Sequence, residues 1–388
     1  MPSRPPGSRS AAPGPDWGAL PSSLPAALRY CSDLVGKLLA EALPWDDLAP
    51  PMLRDAARSY VERGGKRLRP ALVLWACGAV GGDPSHAFPA AGAVELLHNF
   101  SLLHDDVIDQ DELRRGGPTA HVYGARVARE ELGYDPAAAA RLGRDIAILA
   151  GDVLHGWAAS LIGQTRGAEA PAGAQGAQLP SREVALHLTQ LLAGQLTVDL
   201  LRGEAEDVLF AGRPLAAITL PEILDMLWAK TGALYEFCAR AGALIGLNTA
   251  DDQHAWVRAL TTFASHCGVA FQLQDEILGV IGDEATLGKP VGSDLREGKR
   301  TVVVFHALER ATPGQRAVVY DLLGKPDLAP DEVARLQGVL EETGGIAATR
   351  ALARSYVAQA KPQLDLLPDT RYRSLLAQWA DLMVERNV

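Results

Sequence analysis

The chain has 388 residues, 48% of them hydrophobic and 22% charged, enough to bury one large core or two modest ones. Its 47 Asp and Glu against 37 Lys and Arg leave a net charge of −10, which argues against a general nucleic-acid binder that works by neutralising phosphates. Cys31, Cys77, Cys238 and Cys267 stand far apart with no CxxC spacing, so neither a disulfide framework nor a zinc site is indicated, and reduced thiols of a cytoplasmic protein are expected.

Residues 1–25 are rich in Pro, Ser, Gly and Ala and lack the apolar run of a secretion signal, so a disordered tail is expected there. Beyond it, apolar residues recur at spacings of three and four and predict helices over 26–42, 51–63, 68–80, 85–108 and 137–164. A low-complexity stretch at about 165–181 reads as a surface loop. Further helices are expected over 181–203, 221–247 and 251–280, followed by four or five more. Ser181, Thr219 with Glu222, and Asp251 supply start signals, because a side-chain oxygen there can accept orphan N–H groups. Only TVVVF at Thr301 resembles a strand, and no run of about 18 apolar residues predicts a membrane span. The reading is one all-α domain over 26–388.

The chemistry gathers at a few places. His98-Asn-Phe-Ser-Leu-Leu-His104-Asp105-Asp106-Val-Ile-Asp109 closes a predicted helix, with Asp105 and Asp109 one turn apart and Asp106 beside their face. Three carboxylates at the negative end of a helix dipole repel one another, a cost that a cation would offset, and hard oxygen donors suit Mg²⁺. On these residues alone a solvated acidic helix end stays equally open. Arg114-Arg115-Gly-Gly-Pro follows, and Gly64-Gly-Lys66-Arg67-Leu-Arg69-Pro precedes; both set cations on glycine turns suited to phosphate. A second acidic pattern, Gln272-Leu-Gln-Asp275-Glu276 through Gly279 and Asp283, leads to Lys289 and Lys299. Two acidic clusters on separate helices can meet across a bundle cavity, with a diphosphate held partly through metal. Glu95-x-x-His98 has no second ExxH to make a di-iron site, and the aspartate cluster lacks the glycine of an EF-hand.

GGKRLRP, HDDVIDQDELRRGGPTAH, Lys230-Thr231, FQLQDE and GKPVGSDLREGKR, in this order, resemble the trans-isoprenyl diphosphate synthases, or polyprenyl synthetases, most of all bacterial geranylgeranyl diphosphate synthases. The resemblance implies the isoprenoid synthase fold, a helical bundle around a central cavity, in a homodimer. It implies head-to-tail joining of isopentenyl diphosphate to an allylic diphosphate by ionisation, condensation and elimination, with three Mg²⁺ ions when substrate is bound. By that resemblance Asp105, Asp106 and Asp109 hold Mg²⁺ on the allylic diphosphate, and Lys66, Arg69, His98 and Arg115 bind isopentenyl diphosphate. Arg114 faces the allylic diphosphate, Lys230, Thr231, Gln272 and Lys289 stand beside the ionising bond, Lys299 belongs to the basic loop, and Gln195 with Asp199 forms a polar pair of the cavity wall.

The family's second motif ends in a carboxylate where this chain has Gly279, so Asp275 is expected to be the main ligand with Glu276 or Asp283 assisting. Phe100 and Ser101, five and four residues before Asp105, match a geranylgeranyl synthase with one aromatic at the cavity floor; a farnesyl synthase carries two. On a helix Phe100 lies about 7.5 Å deeper than Asp105 but well around the axis, so its ring must lean into the cavity. The alternatives are a farnesyl synthase, a class I terpene cyclase, against which GGKRLRP speaks because a cyclase has no second diphosphate to hold, and a weakly catalytic partner subunit of another synthase.

Overall fold

A computed structural model describes residues 17–165, 181–282 and 292–385. Its helices are α1 (Leu24–Ala42), α2 (Pro51–Glu62), α3 (Leu68–Ala79), α4 (Phe88–Ile108), α5 (Ala120–Glu130), α6 (Pro136–Ile162), α7 (Arg182–Leu191) and α8 (Thr197–Gly212). Then follow α9 (Leu220–Leu227), α10 (Ala233–Leu247), α11 (Ala255–Ile281), α12 (Ser293–Glu297), α13 (Val302–Arg310), α14 (Pro313–Leu322), α15 (Pro330–Glu342), α16 (Gly345–Ala360) and α17 (Arg371–Leu382). Two π-turns, Leu192–Leu196 and Trp228–Gly232, join α7 to α8 and α9 to α10 without breaking either rod. Among the described residues the only strands are β1 (Leu113–Arg114) and β2 (Gly117–Pro118), an antiparallel hairpin that apolar periodicity did not reveal.

Helix starts follow local chemistry. Asp135 accepts from the N–H groups of Ala137 and Ala138 ahead of Pro136, Ser181 accepts from Val184, and Thr219 and Glu222 close a capping box. Three expectations are corrected. The helix expected from 251 begins at Ala255 and is capped by the ring of His254, while Asp251 caps a turn before it. TVVVF is the first turn of α13, where Thr301 accepts from Val304; N-cap chemistry outweighed β-branched propensity. Residues 17–25, assigned to the tail, are docked: the Trp17 indole donates to Ser85 and packs on Phe88 and Tyr30, and Leu24 is buried. The rest of the tail and most of the loop at 165–181 lie outside the described residues.

The core is centred on α3, α4, α10 and α11, with Trp75, Tyr235, Phe263 and Trp379 fully buried. Small residues let the central rods touch: a Cβ at Gly242 of α10 would stand 2.2 Å from the Val73 carbonyl of α3. All four cysteines are buried free thiols. Residues 136–165 and 182–212 are long and apolar enough to cross a membrane by length and composition, although charged residues interrupt both and neither is an unbroken run of about 18 apolar residues. Both belong to the bundle. They leave Ile148 and Leu149 of α6 and Val198, Leu201, Val208 and Leu209 of α8 exposed.

Candidate active site

A cavity of about 990 Å³ opens between α4, α8, the second π-turn, α11 and α12. Its rim is ionic and its depth apolar. Asp105 and Asp109 face it from the end of α4, since residues four apart share a helix side, and Asp275 and Asp294 face it from α11 and α12. Lys66, Arg69, His98, Arg114 and Arg115 line the flank of the rim that faces α3 and the β1–β2 hairpin.

The hairpin aims its two arginines differently. Arg115 and Gly116 form its two-residue loop with φ of 51° and 74°, the double positive φ of a tight I′ turn. Arg114 reaches Asp105 at 3.4 Å and Asp111 at 3.0 Å, while Arg115 donates to the Tyr60 carbonyl at 3.0 Å and to Asn99 at 3.2 Å. Arg63 fastens the hairpin by donating to the Pro118 carbonyl at 2.8 Å.

Asp106 corrects the sequence assignment. One residue past Asp105 it sits about 100° around the helix, outside the cavity. Its side chain is 1% exposed and is held by the Arg114 guanidinium and the Tyr60 hydroxyl, so it anchors the hairpin and is not poised for metal. Burial pushes its carboxyl up, against the pull of Arg114 and Tyr60.

On the turn before α3, Gly64 and Gly65 have φ of 64° and 150°, and Arg67 has φ of 43°. That turn sends Arg67 inward, where it donates to the Val61 carbonyl and lies near Glu95, and leaves Lys66 and Arg69 to the cavity. Arg69 stacks 4.4 Å over the Tyr235 ring and lies 3.3 Å from His98 Nε2. Arginine can only donate, so His98 Nε2 is the acceptor. Burial, with Arg69, Arg115 and Arg114 nearby, holds His98 well below its ordinary pKa and therefore neutral.

Lys230 and Thr231 sit on the second π-turn, a distortion frequent at functional sites. Thr231 donates to Gln272 at 2.8 Å. Lys230 Nζ lies 2.7 Å from Asp207, 2.9 Å from Glu204 and 3.3 Å from Asp105. Glu204 and Asp207 were missed because Gly203 was read as a helix stop. The helix runs on to Gly212, and Gly203 marks a backbone contact, a Cβ there falling 2.2 Å from Lys230 N. Carboxylates three apart just after a glycine, inside an apolar rod, were the available signal. Gln195 is the corresponding error: it is exposed and donates to Asp199 at 3.0 Å, away from the cavity.

On the opposite bank Glu276 corrects another assignment. Although it touches the cavity wall, its Oε2 accepts the Val302 N–H at 2.9 Å at the start of α13, and burial pushes its carboxyl well above the usual range. Gly279 has its own explanation: a Cβ there would meet Asp294 Oδ2 at 2.3 Å. Asp294 thus stands where a side chain at 279 would begin. Lys299 pairs with Asp109 at 2.8 Å and Glu297 at 3.1 Å. Asp283 and Lys289 lie outside the described residues. Deeper down, the Phe100 ring lines the cavity and packs on His104 at 4.7 Å and on His155 of α6 at 5.0 Å, while Ser101 donates to the His98 carbonyl.

Among the described residues no three His, Cys, Asp or Glu side chains converge as a ready metal cage. Facing carboxylates beside clustered Lys and Arg side chains instead suit Mg²⁺, which is commonly held by one or two carboxylates together with substrate phosphates. The profile of the polyprenyl synthetase family matches residues 50–340. The chain belongs to the polyprenyl synthetase family. This polyprenyl synthetase is 34% identical over 359 residues to the short chain isoprenyl diphosphate synthase of Methanothermobacter thermautotrophicus, covering 92% of this chain and 97% of that one. It is 34% identical over 343 residues to the geranylfarnesyl diphosphate synthase of Aeropyrum pernix, covering 87% and 96%. Its structure superposes with TM-score 0.80 and 26% identity on the geranylgeranyl pyrophosphate synthase of Corynebacterium glutamicum complexed with isoprenyl diphosphate and magnesium, covering 94% and 100%. The synthetase is thus a trans-prenyltransferase with the all-α isoprenoid synthase fold.

Two stability predictions separate anchors from cavity groups. Asp106→Ala takes from Arg114 its one fully buried carboxylate and from the Tyr60 hydroxyl its acceptor, and costs about 3 kcal/mol or more in denaturant unfolding, whereas Asp105→Ala, removing one of several carboxylates around Lys230 and Arg114, costs far less. Equal losses would contradict the distinction. Burial pushes the Glu204 carboxyl from 4.5 up to about 7, Lys230 opposing and Asp105 and Asp207 adding to the rise. Between those values the folded protein keeps a proton that the unfolded chain has lost, so this group lowers stability as pH rises through the window. Glu204→Gln should therefore raise the melting temperature over the parent by more at pH 8 than at pH 5; a pH-independent gap would contradict it.

Proposed function

We propose that this synthetase condenses isopentenyl diphosphate with dimethylallyl, geranyl and farnesyl diphosphates and stops at the C20 product, geranylgeranyl diphosphate. The observation that carries this reading is the Phe100 ring, wedged deep in the cavity against His155, with the small Ser101 leaving the next position open. His155 is itself tied to Thr197 at 3.0 Å, which stiffens the floor. A farnesyl synthase would need a second bulky group there. A cyclase would have no use for Lys66, Arg69, neutral His98 and Arg115, which line one flank of the cavity rim.

The residues divide the work. Lys66 and Arg69 hold isopentenyl diphosphate, and Arg115, fixed by Tyr60 and Asn99, borders the same pocket. Asp105 and Asp109 from one bank, with Asp275 and Asp294 from the other, would hold Mg²⁺, three ions when substrate is bound. Asp294 takes the place of the carboxylate absent at Gly279. When bound, Mg²⁺ supplies charge that stabilises the departing diphosphate. Lys230 and Lys299 offer their ammonium groups to the same oxygens, and Arg114 faces the allylic diphosphate from the hairpin. The bond to the allylic oxygen breaks and its electron pair leaves with the diphosphate, the isopentenyl double bond attacks the allylic carbon, and the released diphosphate takes a proton from the new chain. Thr231 and Gln272, bonded to each other, present oriented dipoles at that carbon, and Phe271, Leu200 and Met226 keep water from it.

We further propose a cytoplasmic homodimer. The free buried thiols fit a reducing compartment. On α8, Val198, Leu201 and Val208 stand exposed at spacings of three and seven, the periodicity of a helix seam, and Leu201 also borders the cavity. A second copy on that face would complete the wall.

Two experiments test these readings. Phe100→Ala should yield products longer than C20 by mass spectrometry, whereas an unchanged length in a folded, active variant would place the floor elsewhere. Light scattering should give twice the chain mass for the parent and a single-chain mass for Leu201→Glu; a monomeric parent would remove the dimer.

A further inference from the structure

Lys230 has three carboxylate neighbours and three N–H donors. The carboxylates do not come from one place. Asp105 belongs to the bank assigned to metal, whereas Glu204 and Asp207 stand one turn apart on α8, so both reach toward the π-turn from one side. Their position is fixed by backbone contact. Gly203 sets α8 directly against the π-turn at Lys230, and on the far side a Cβ at Gly268 of α11 would fall 2.8 Å from Gly232 Cα. The turn is gripped between two glycine contacts, so the distance from the α8 carboxylates to the root of Lys230 has little freedom.

A lysine side chain otherwise carries considerable rotamer entropy, which ordering by substrate would have to offset. We propose that Glu204 is a positioning residue: with Asp207 it holds two of the three N–H groups of Lys230, leaving the third, which Asp105 occupies here, for the departing diphosphate. Glu204 acts as an acceptor and not chiefly as a charge. The ammonium already has Asp207 and Asp105, so negative charge is in excess, and Glu204 Oε1 is buried without a hydrogen-bond partner. Removing Glu204 would let Lys230 swing among its remaining partners. The site that holds isopentenyl diphosphate, on the opposite flank, would be untouched.

This inference rests on the reading that Lys230 meets the departing diphosphate, and the test separates the two. Steady-state kinetics with both substrates are compared for the parent, Lys230→Ala, Glu204→Met, which fills similar volume without an acceptor, and Glu204→Gln, which restores one. Glu204→Met should lose about tenfold or more in kcat with the isopentenyl diphosphate KM within about twofold, and Glu204→Gln should recover most of that loss. Should Glu204→Met not fold, Glu204→Asp, which withdraws the carboxylate by one methylene, should show the same loss confined to kcat. Parental kcat in the Met or Asp variant would overturn the inference, as would a Gln variant no better than Met. Parental turnover in Lys230→Ala would instead remove the role given to Lys230 itself.

Discussion

Two banks of carboxylate face each other across one cavity, and much of the site depends on how that repulsion is managed. Asp105 and Asp109 close α4, Asp275 and Asp294 stand opposite, and Glu204 and Asp207 look in from α8. The charge is spanned by side chains: Lys299 reaches Asp109, Lys230 reaches Asp105 and both α8 carboxylates, and Arg114 shares Asp105 and Asp111. In the proposed reaction a metal–diphosphate complex would come to these same cations. Loading the site would then exchange one set of counter-charges for another, with Lys230 and Lys299 free to turn from carboxylate to phosphate oxygens.

The bundle makes this arrangement by close approach of its backbones. Glycines at 203, 242 and 268 stand where neighbouring elements leave no room for a Cβ, and Gly279 yields its space to a carboxylate from α12. A π-turn then shifts the register of one rod so that Lys230 and Thr231 point inward on consecutive residues.

The all-α fold, most helix positions and the basic clusters were legible in the sequence, because apolar spacing and glycine-bounded cations are local signals. That Asp105 and Asp109 share one helix side was legible for the same reason. Errors arose where the outcome depended on a partner distant in sequence. Asp106 differs from Asp105 only by a step around the helix, and its burial is decided by Tyr60, 46 residues earlier, and by Arg114 on a hairpin. Glu276 is spent on Val302, and Gly203 was a backbone contact where a helix stop was expected. Gln195 looked like the wall residue because a glutamine beside a glycine invites that reading, yet the cavity lies one helical stretch later, at Glu204.

The account's central claim is that the two banks bind metal tightly only together with a diphosphate, since no three ligands converge by themselves among the described residues. Calorimetric titration of Mg²⁺ into the protein, alone and with saturating inorganic diphosphate, measures this directly. The account predicts weak binding to the protein alone and binding at least about tenfold tighter with diphosphate, a coupling of roughly 1.4 kcal/mol or more. Equally tight binding in both titrations would contradict it, and would mean that the carboxylates already form a complete metal site.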